Sequence, residues 1–298
     1  MKYLLVDLSY FVFYRYYALV NYIQLSTKTA PDLSDVVNNK EFIDKYAEMF
    51  EKCLMGLLKT HFNAKRNDFS DIQIYLARDC SRCNIWRQRL FPEYKATRDL
   101  AKKKHHFDGR IFDFVYNVIV PKLIRKYGFV HLCGNDEAEA DDVIAVISGC
   151  LHKRDEQNIV YVITNDHDYL QLLDRVNGIY NLQGKNLHAK ALEGCAQKSM
   201  LLKVLQGDPS DNIKGVLSKS KSLQLLRHHD SVASVDAYFG TKATKQQLEH
   251  YEFNKTLICF SNIPEYICES IENNFQTHTC SNCDACNAIP STLEYAKN

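Results

Sequence analysis

The chain has 298 residues, of which 46% are hydrophobic, and its formal net charge is +1. This length and composition support one large domain with room for a smaller appendage. The charge alone does not indicate a nucleic-acid binder. No stretch approaches the roughly 18 apolar residues of a membrane span, so no membrane partner is expected. The first apolar run ends at Asp7, which is too early for a signal peptide.

Alternating patterns in chain order predict an α/β fold. Short β-branched runs predict strands near 3–7, 72–77, 129–133, 159–164 and 178–181, and longer periodic patterns predict helices near 9–25, 41–62, 110–127 and 139–151. Residues 26–40 read as a loop, and the pattern is helical only from about residue 199. Such alternation predicts a mostly parallel sheet flanked by helices. We expect a catalytic domain over 1–198, a helical subdomain over 199–272 and a tail over 273–298, in a monomer.

The 11 cysteines are mostly scattered singly. This usage predicts free thiols in an intracellular, reducing compartment, either the cytoplasm or, for a viral protein, the virion or replication site. The tail spaces Cys280, Cys283 and Cys286 by two residues, with His278 and Cys268 nearby. These residues could hold zinc. Free thiols are the favoured alternative because no second spaced cysteine pair is present.

Carboxylates form the most informative pattern, because they arrive in five clusters that follow or begin apolar runs. Their positions are Asp7, Asp79, Glu139 with Asp141 and Asp142, Asp166 with Asp168, and Asp208 with Asp211. Acids at a helix start or strand end can also be simple caps. Their joint occurrence at matching positions favours a site beyond the carboxyl ends of parallel strands. Hard oxygen ligands suit Mg²⁺ or Mn²⁺, and two such ions ~4 Å apart hydrolyse phosphodiesters in many enzymes.

A basic segment accompanies these acids. Residues 82–110 hold nine Lys or Arg residues against three acids. A phosphate-backbone substrate would need such a segment beside an acidic metal site. The alternative for the lysine run at 102–104 is a solvated loop or a localisation signal.

Five motifs in order resemble the 5′-nuclease domain of bacterial DNA polymerase I and its phage relatives, within the flap-endonuclease superfamily. They lie at 6–19, 91–98, 139–144, 164–172 and 207–216, and the resemblance covers about residues 3–230. It implies a PIN-like α/β domain with a helical arch at about 95–112 and a C-terminal helical DNA-binding region. The implied activity is structure-specific, metal-dependent 5′-nuclease cleavage of DNA flaps or 5′ ends.

The resemblance also implies roles for individual residues. One ion would be held by Asp7, Asp79, Glu139 and Asp141, and the other by Asp166, Asp168 and Asp211, with Asp142 and Asp208 acting through water or by orientation. Lys95 and Arg98 match residues that bind the scissile phosphate. The DNA contacts would come from Arg15, Arg87, Lys102, Lys103, Lys104, Lys214, Lys219 and Lys221.

The segment after Gly215 departs from the family pattern. Relatives continue with a glycine-containing hairpin, whereas this chain runs Val216-Leu217-Ser218-Lys219 and lacks both hairpin glycines. Those glycines support a K⁺ ion and a phosphate contact, so both are in doubt here, and Lys214, Lys219 and Lys221 are expected to replace them. Two alternatives stay open: a 5′-to-3′ ribonuclease on the same plan, and a non-catalytic binder of branched DNA.

Overall fold

Five parallel strands form one sheet, in the order β3-β2-β1-β4-β5. The computed structural model describes residues 1–28, 32–64, 69–96 and 107–279, the last three without their side chains. The strands are β1 (Lys2–Asp7), β2 (Ile72–Ala77), β3 (Val130–Cys133), β4 (Ile159–Ile163) and β5 (Gly178–Tyr180). The predicted α/β class is confirmed.

The helices of the described ranges follow the predicted alternation. They are α1 (Leu8–Thr27), α2 (Lys40–Phe62), α3 (Trp86–Leu90), α4 (Arg110–Phe114), α5 (Val120–Lys126), α6 (Ala140–Arg154), α7 (Ala196–Gln206), α8 (Lys219–His228), α9 (Val232–Lys242), α10 (Lys245–Ile258) and α11 (Glu265–Thr279). A π-helical turn, Val115–Ile119, joins α4 to α5. No helix in these ranges is both long and apolar enough to cross a membrane.

Side chains that alternate along β1 divide the core into two layers. Leu4 and Val6 face one side, where they pack with buried residues of α1, α2 and α5. Tyr3 and Leu5 face the other side, where they pack with α6 and α11. Because successive strand side chains point to opposite faces, a central strand with both faces covered is apolar throughout. This explains why β1 is a continuous hydrophobic run up to Asp7.

The C-terminal helices build a third apolar cluster at the carboxyl edge of the sheet. Residues of α7 to α10 pack there with Ile85 and Tyr94 from the segment after β2. The last helix differs from our expectation, because α11 leaves this cluster and packs on α6 and β3 through Ile267, Ile271 and Phe275. Its apolar stripe fits the open face of the sheet, which the sequence pattern alone does not reveal.

A tight loop after α7 positions the last two predicted carboxylates. Gly207 has a φ of 73°, and a Cβ there would lie 2.4 Å from the Ile213 carbonyl oxygen, so glycine is required. The amides of Asp208 and Ile213 each donate to the other residue's carbonyl, at 2.9 and 2.8 Å. The loop therefore holds Asp208 and Asp211 against the sheet edge.

Several predictions concern residues outside the described ranges. These are the roles of Arg98, Lys102, Lys103 and Lys104 in the arch, and zinc binding by Cys280, Cys283 and Cys286. The side chain of His278 also lies outside them. The eight cysteines at described positions are free thiols, as their scattered spacing predicted.

Candidate active site

The carboxyl edge of the sheet opens into a cleft of about 1200 Å³. Asp7 ends β1, Asp79 follows β2 by two residues, and Asp166 follows β4 by three. Glu139 and Asp141 reach the same cleft from the start of α6. Parallel strands place all their carboxyl ends on one edge, so residues far apart in sequence become neighbours. The predicted gathering of carboxylates is present.

Two of these carboxylates are fixed by neutral donors. Asp7 accepts from the Tyr10 amide and the Thr164 hydroxyl, both at 3.0 Å. Asp79 accepts from the Ser9 hydroxyl at 2.5 Å and from the Ala140 amide at 2.8 Å. Burial, followed by the charge of Asp79, raises the pKa of Asp7 to about 7. This repulsion between carboxylates would be relieved by a cation between them.

Asp142 is directed away from the cleft and into a buried ion pair. Its two oxygens accept from Arg87 at 2.7 and 2.8 Å and from the Trp86 indole at 2.9 Å. Arg87 also donates to Glu139 at 3.2 Å and to the Leu257 carbonyl at 2.8 Å. The prediction that Arg87 contacts DNA is wrong, because its side chain is 2% exposed and its donors are occupied inside the protein.

Two groups of three carboxylates lie at this end of the sheet. In the first group, oxygens of Glu139, Asp141 and Asp142 come within 4.8 Å of one another, and in the second group the same is true of Asp168, Asp208 and Asp211. The Lys203 ammonium, from α7, pairs with Asp168 and lies 2.7 Å from Asp208. Although burial opposes it, Lys203 lowers the pKa of Asp208. Sequence reasoning missed Lys203, whose only signal was its place one helical turn before Gly207.

Tyr94 and Lys95 bridge the two acidic groups. The Tyr94 hydroxyl lies 2.9 Å from a Glu139 oxygen and 3.1 Å from an Asp211 oxygen. The Lys95 ammonium pairs with Glu139 and lies 3.8 Å from Asp211. Lys95 has a φ of 59°, which is costly for a residue with a side chain, and its amide donates to the Asp211 carbonyl at 3.0 Å. The loop at 208–213 therefore holds Lys95 in this position.

The comparisons with known proteins agree with this geometry. The family model for the N-terminal, resolvase-like domain of 5′-3′ exonucleases matches residues 2–200. The chain belongs to this family. A 5′-3′ exonuclease of Mycoplasmopsis pulmonis is 30% identical over 178 residues, which is 55% of either chain. Ribonuclease H of Enterobacteria phage T4 is 24% identical over 277 residues, covering 87% of this chain and 86% of that one.

Solved structures share the exonuclease fold. The bacteriophage T5 flap endonuclease, in a pseudo-enzyme-product complex with DNA and metal ions, has a TM-score of 0.63 and 16% identity over 93% of this chain and 99% of its own. The T5 5′-exonuclease with bound zinc has a TM-score of 0.61 and 16% identity over 93% and 98%. The predicted superfamily and PIN-like fold are confirmed. The chain spans about half the length of its Mycoplasmopsis relative.

The predicted DNA-contacting residues lie in different parts of the structure. Lys214, Lys219 and Lys221 are exposed at the start of α8 and just before it. The Lys214 carbonyl accepts from His250 at 3.1 Å and from Asn254 at 2.8 Å, which fixes the backbone of the altered hairpin. Arg15 is half-buried, lies close to Cys53 of α2, and does not line the cleft.

Two bases in the described part of the basic segment are neutralised by nearby acids. Arg89 pairs with Glu137 at 2.5 Å, and Arg110 pairs with Asp108 and with Asp35, both at 2.7 Å. Counting charges along the sequence therefore overestimated the basic surface that the described part of the segment offers to a substrate. Within the described part of this segment, Arg82 and Lys95 are the bases that line the cleft.

The ligand set fits hard divalent cations. The clustered side chains offer carboxylate oxygens, and burial followed by the charge of Asp79 raises the pKa of Asp7. Oxygen ligands of this kind prefer Mg²⁺, Mn²⁺ or Ca²⁺ to softer metals. These acidic clusters can bind metal ions.

Proposed function

We propose that this protein is a divalent-metal-dependent 5′-nuclease that hydrolyses phosphodiester bonds at flaps or 5′ ends of DNA. The observation that carries the proposal is the meeting of carboxylates from five separate segments in one cleft beside Lys95. Carboxylates at such a density need cations, and a substrate with negative phosphates then needs an ammonium group close by. Membership of the 5′-3′ exonuclease family supports the same activity.

The residues divide into two ion sites in this proposal. Asp7, Asp79, Glu139 and Asp141 would hold one ion, and Asp166, Asp168 and Asp211 the other. Asp142 would orient Glu139 through Arg87, and Asp208 would orient Lys203. When bound, two Mg²⁺ or Mn²⁺ ions supply an activated water and stabilise the leaving 3′ oxygen.

The protein's own groups would orient the substrate. Lys95, whose ammonium pairs with Glu139, would also contact an oxygen of the scissile phosphate and offset its negative charge. The Tyr94 hydroxyl would hold Glu139 and Asp211 close to each other. The Ser9 hydroxyl and the Ala140 amide would hold the Asp79 carboxylate in one orientation. Such fixed donors act without reorganising during the reaction.

We propose that the C-terminal helices bind duplex DNA. The T5 flap endonuclease, which shares this fold, is described in complex with DNA and metal ions, which supports DNA as the substrate. The exposed Lys214, Lys219 and Lys221 lie on these helices or beside them. The division into a catalytic domain over 1–198, a helical subdomain over 199–272 and a tail from 273 stays a prediction, with α11 packing on the catalytic domain, and an intracellular monomer is likewise proposed.

RNA is the second candidate substrate. The relative from phage T4, which aligns with 87% of this chain, bears the name ribonuclease H. A ribonuclease would use the same carboxylates and Lys95.

A substrate panel tests the proposal. Labelled flap, nicked and single-stranded DNA, with matched RNA, would be incubated with Mg²⁺, Mn²⁺ or EDTA, and Asp141→Asn would serve as the matched inactive variant. We expect flap DNA to be cut with Mg²⁺ or Mn²⁺ and to stay intact in EDTA or with the variant. Faster cleavage of RNA than of every DNA would favour the second candidate. Cleavage in EDTA would exclude the metal mechanism.

A further inference from the structure

A buried hydroxyl in the cleft has no role in the arrangement described so far. Tyr169 lies in the 3₁₀ helix His167–Leu172, directly after the Asp166 and Asp168 positions. Its side chain is 1% exposed, and its ring packs with Phe260 at a centroid distance of 6.3 Å. The ring therefore belongs to the core, while the residue also lines the cleft.

The Tyr169 hydroxyl has no hydrogen-bond partner within the described residues. Buried tyrosine hydroxyls usually have one. Two others in this protein follow that rule: Tyr46 donates to the Val12 carbonyl at 3.1 Å, and Tyr251 donates to Asp236 at 2.8 Å. A phenylalanine would fill the same space at position 169 without an unpaired polar group. Burying this unpaired hydroxyl costs free energy, and the packing of the ring does not explain why position 169 is a tyrosine.

The surroundings of this hydroxyl indicate its partner. Tyr169 lines the cleft together with Asp7, Asp79, Asp141 and Asp166, which belong to four different segments. None of these carboxylates accepts its proton. A buried, unpartnered hydroxyl in a cleft lined by these acids lies where a cation would bind, and a cation carries coordinated solvent.

We propose that Tyr169 is a positioning residue of the metal centre, whose hydroxyl hydrogen-bonds a solvent molecule coordinated to the ion among Asp7, Asp79 and Asp141. The inference rests on the proposed metal site and adds a residue that the family motifs do not assign. A phenol both donates and accepts, so it can fix the orientation of such a molecule. Groups that hydrogen-bond the ligands of a metal commonly contribute to its affinity.

The test compares Tyr169→Phe with Tyr46→Phe, a matched loss of a buried hydroxyl in the core between α1 and α2. Mn²⁺ affinity would be measured by calorimetry without DNA, and thermal unfolding would be followed in EDTA and in Mn²⁺. We expect Tyr169→Phe to bind one Mn²⁺ at least about threefold more weakly. Its melting temperature should be unchanged or higher in EDTA, with a smaller rise on adding Mn²⁺.

The control should behave differently. Tyr46→Phe loses a satisfied hydrogen bond, so its melting temperature should fall equally with and without Mn²⁺, and its Mn²⁺ affinity should match that of the wild type. Equal Mn²⁺ affinity of Tyr169→Phe and wild type would overturn the inference and leave the metal site standing. An effect that appears only with DNA present would also overturn it, because the hydroxyl would then contact a phosphate. Absence of Mn²⁺ binding by the wild type would refute the proposed function itself.

Discussion

At the scale of single residues, Lys95 is the group whose position most clearly suits catalysis. It is held in a costly backbone conformation, and its ammonium lies between Glu139 and Asp211. We predict that Lys95→Ala lowers the single-turnover rate on flap DNA by ~100-fold or more, with a smaller loss of affinity, because a phosphate contact of this kind strengthens in the transition state. Rapid-quench kinetics and a binding titration would measure the two effects.

Lys198→Ala provides the control for that experiment. Lys198 lies in the same helix as Lys203 but pairs with Glu193 at 2.6 Å and does not line the cleft. It should keep the wild-type rate. If Lys95→Ala instead lost affinity while its single-turnover rate stayed normal, Lys95 would be an ordinary backbone contact.

The raised pKa of Asp7 predicts how the stability of the metal-free protein depends on pH. Its folded pKa is about 7, against an ordinary value of 3.8. Between these values the folded protein holds a proton that the unfolded chain releases, so stability falls as pH rises from about 4 to 7. We predict that Asp7→Asn reduces this decline and makes the EDTA-treated protein more stable than the wild type at pH 7.5.

Urea unfolding at pH 5 and at pH 7.5 in EDTA would measure this. Asp71→Asn is the control, because Asp71 pairs with Lys2 at 2.8 Å and its pKa is lowered, so its loss should not help at neutral pH. A decline in stability that is as steep in Asp7→Asn as in the wild type would show that another group causes it.

At the scale of elements, the buried Arg87 ties α3 to the first turn of α6 and to the end of α10. Removing it would leave Asp142, which is fully buried, with an uncompensated charge. We predict that Arg87→Met costs about 3–5 kcal/mol in the free energy of unfolding. Arg89→Met, in an exposed pair with Glu137, should cost about 1 kcal/mol or less. Equal costs in urea unfolding would show that the network contributes no more than a surface pair.

Arg87 also shows what the sequence can and cannot predict for an element. The strands followed from runs of β-branched residues, and the acids after them followed from parallel topology. The face on which a charged side chain lies is decided by tertiary packing, and α3 is too short for a periodic pattern to show it. The adjacent Trp86, the chain's one tryptophan, was the available signal of a buried segment. The sequence also did not predict that α11 packs on the sheet, because tertiary packing decides which neighbour its apolar stripe contacts.

At the scale of the whole molecule, the helices after the sheet are proposed to hold duplex DNA while the cleft cuts it. Replacing Lys214, Lys219 and Lys221 by Ala should weaken binding to flap duplexes. The log–log salt slope should fall by about 0.9 for each lost phosphate contact, because fewer counterions are released. Cleavage of single strands should suffer less. Fluorescence anisotropy over a range of KCl or NaCl concentrations would measure both affinity and slope.

Exposed lysines on α2 provide a charge-matched control, and the triple variant at Lys40, Lys52 and Lys59 should keep the wild-type slope. If the triple variant at Lys214, Lys219 and Lys221 kept the wild-type salt slope, this segment would bind DNA without its lysines. A marked preference for K⁺ over Na⁺ would indicate an ion site that the altered hairpin was expected to lack.

The sequence predicted more of the carboxylates of the candidate site than of the side-chain contacts around them. Asp7 and Glu139 combine a strand-end or helix-start position with a family motif, so two independent signals indicated each of them, whereas Asp79 had its strand-end position and no motif around it. Lys203 has no such pattern. Tyr94 and Tyr169 lie inside the motifs at 91–98 and 164–172, but the sequence predicted no role for either, because their contacts depend on how α7 and the 3₁₀ segments pack at the sheet edge. Side-chain networks of this kind arise from tertiary packing and are absent from local periodicity.

The carboxylates of the cleft are proposed to bind two divalent ions, and Mn²⁺ titration calorimetry would count the ions bound. We predict two ions per chain for the wild type, with one site lost in Asp141→Asn and the other in Asp168→Asn, while both variants still bind flap DNA. Asn replaces each carboxylate with little change in volume. Stoichiometry that is identical in the wild type and both variants, or a wild type that binds no Mn²⁺, would contradict the account.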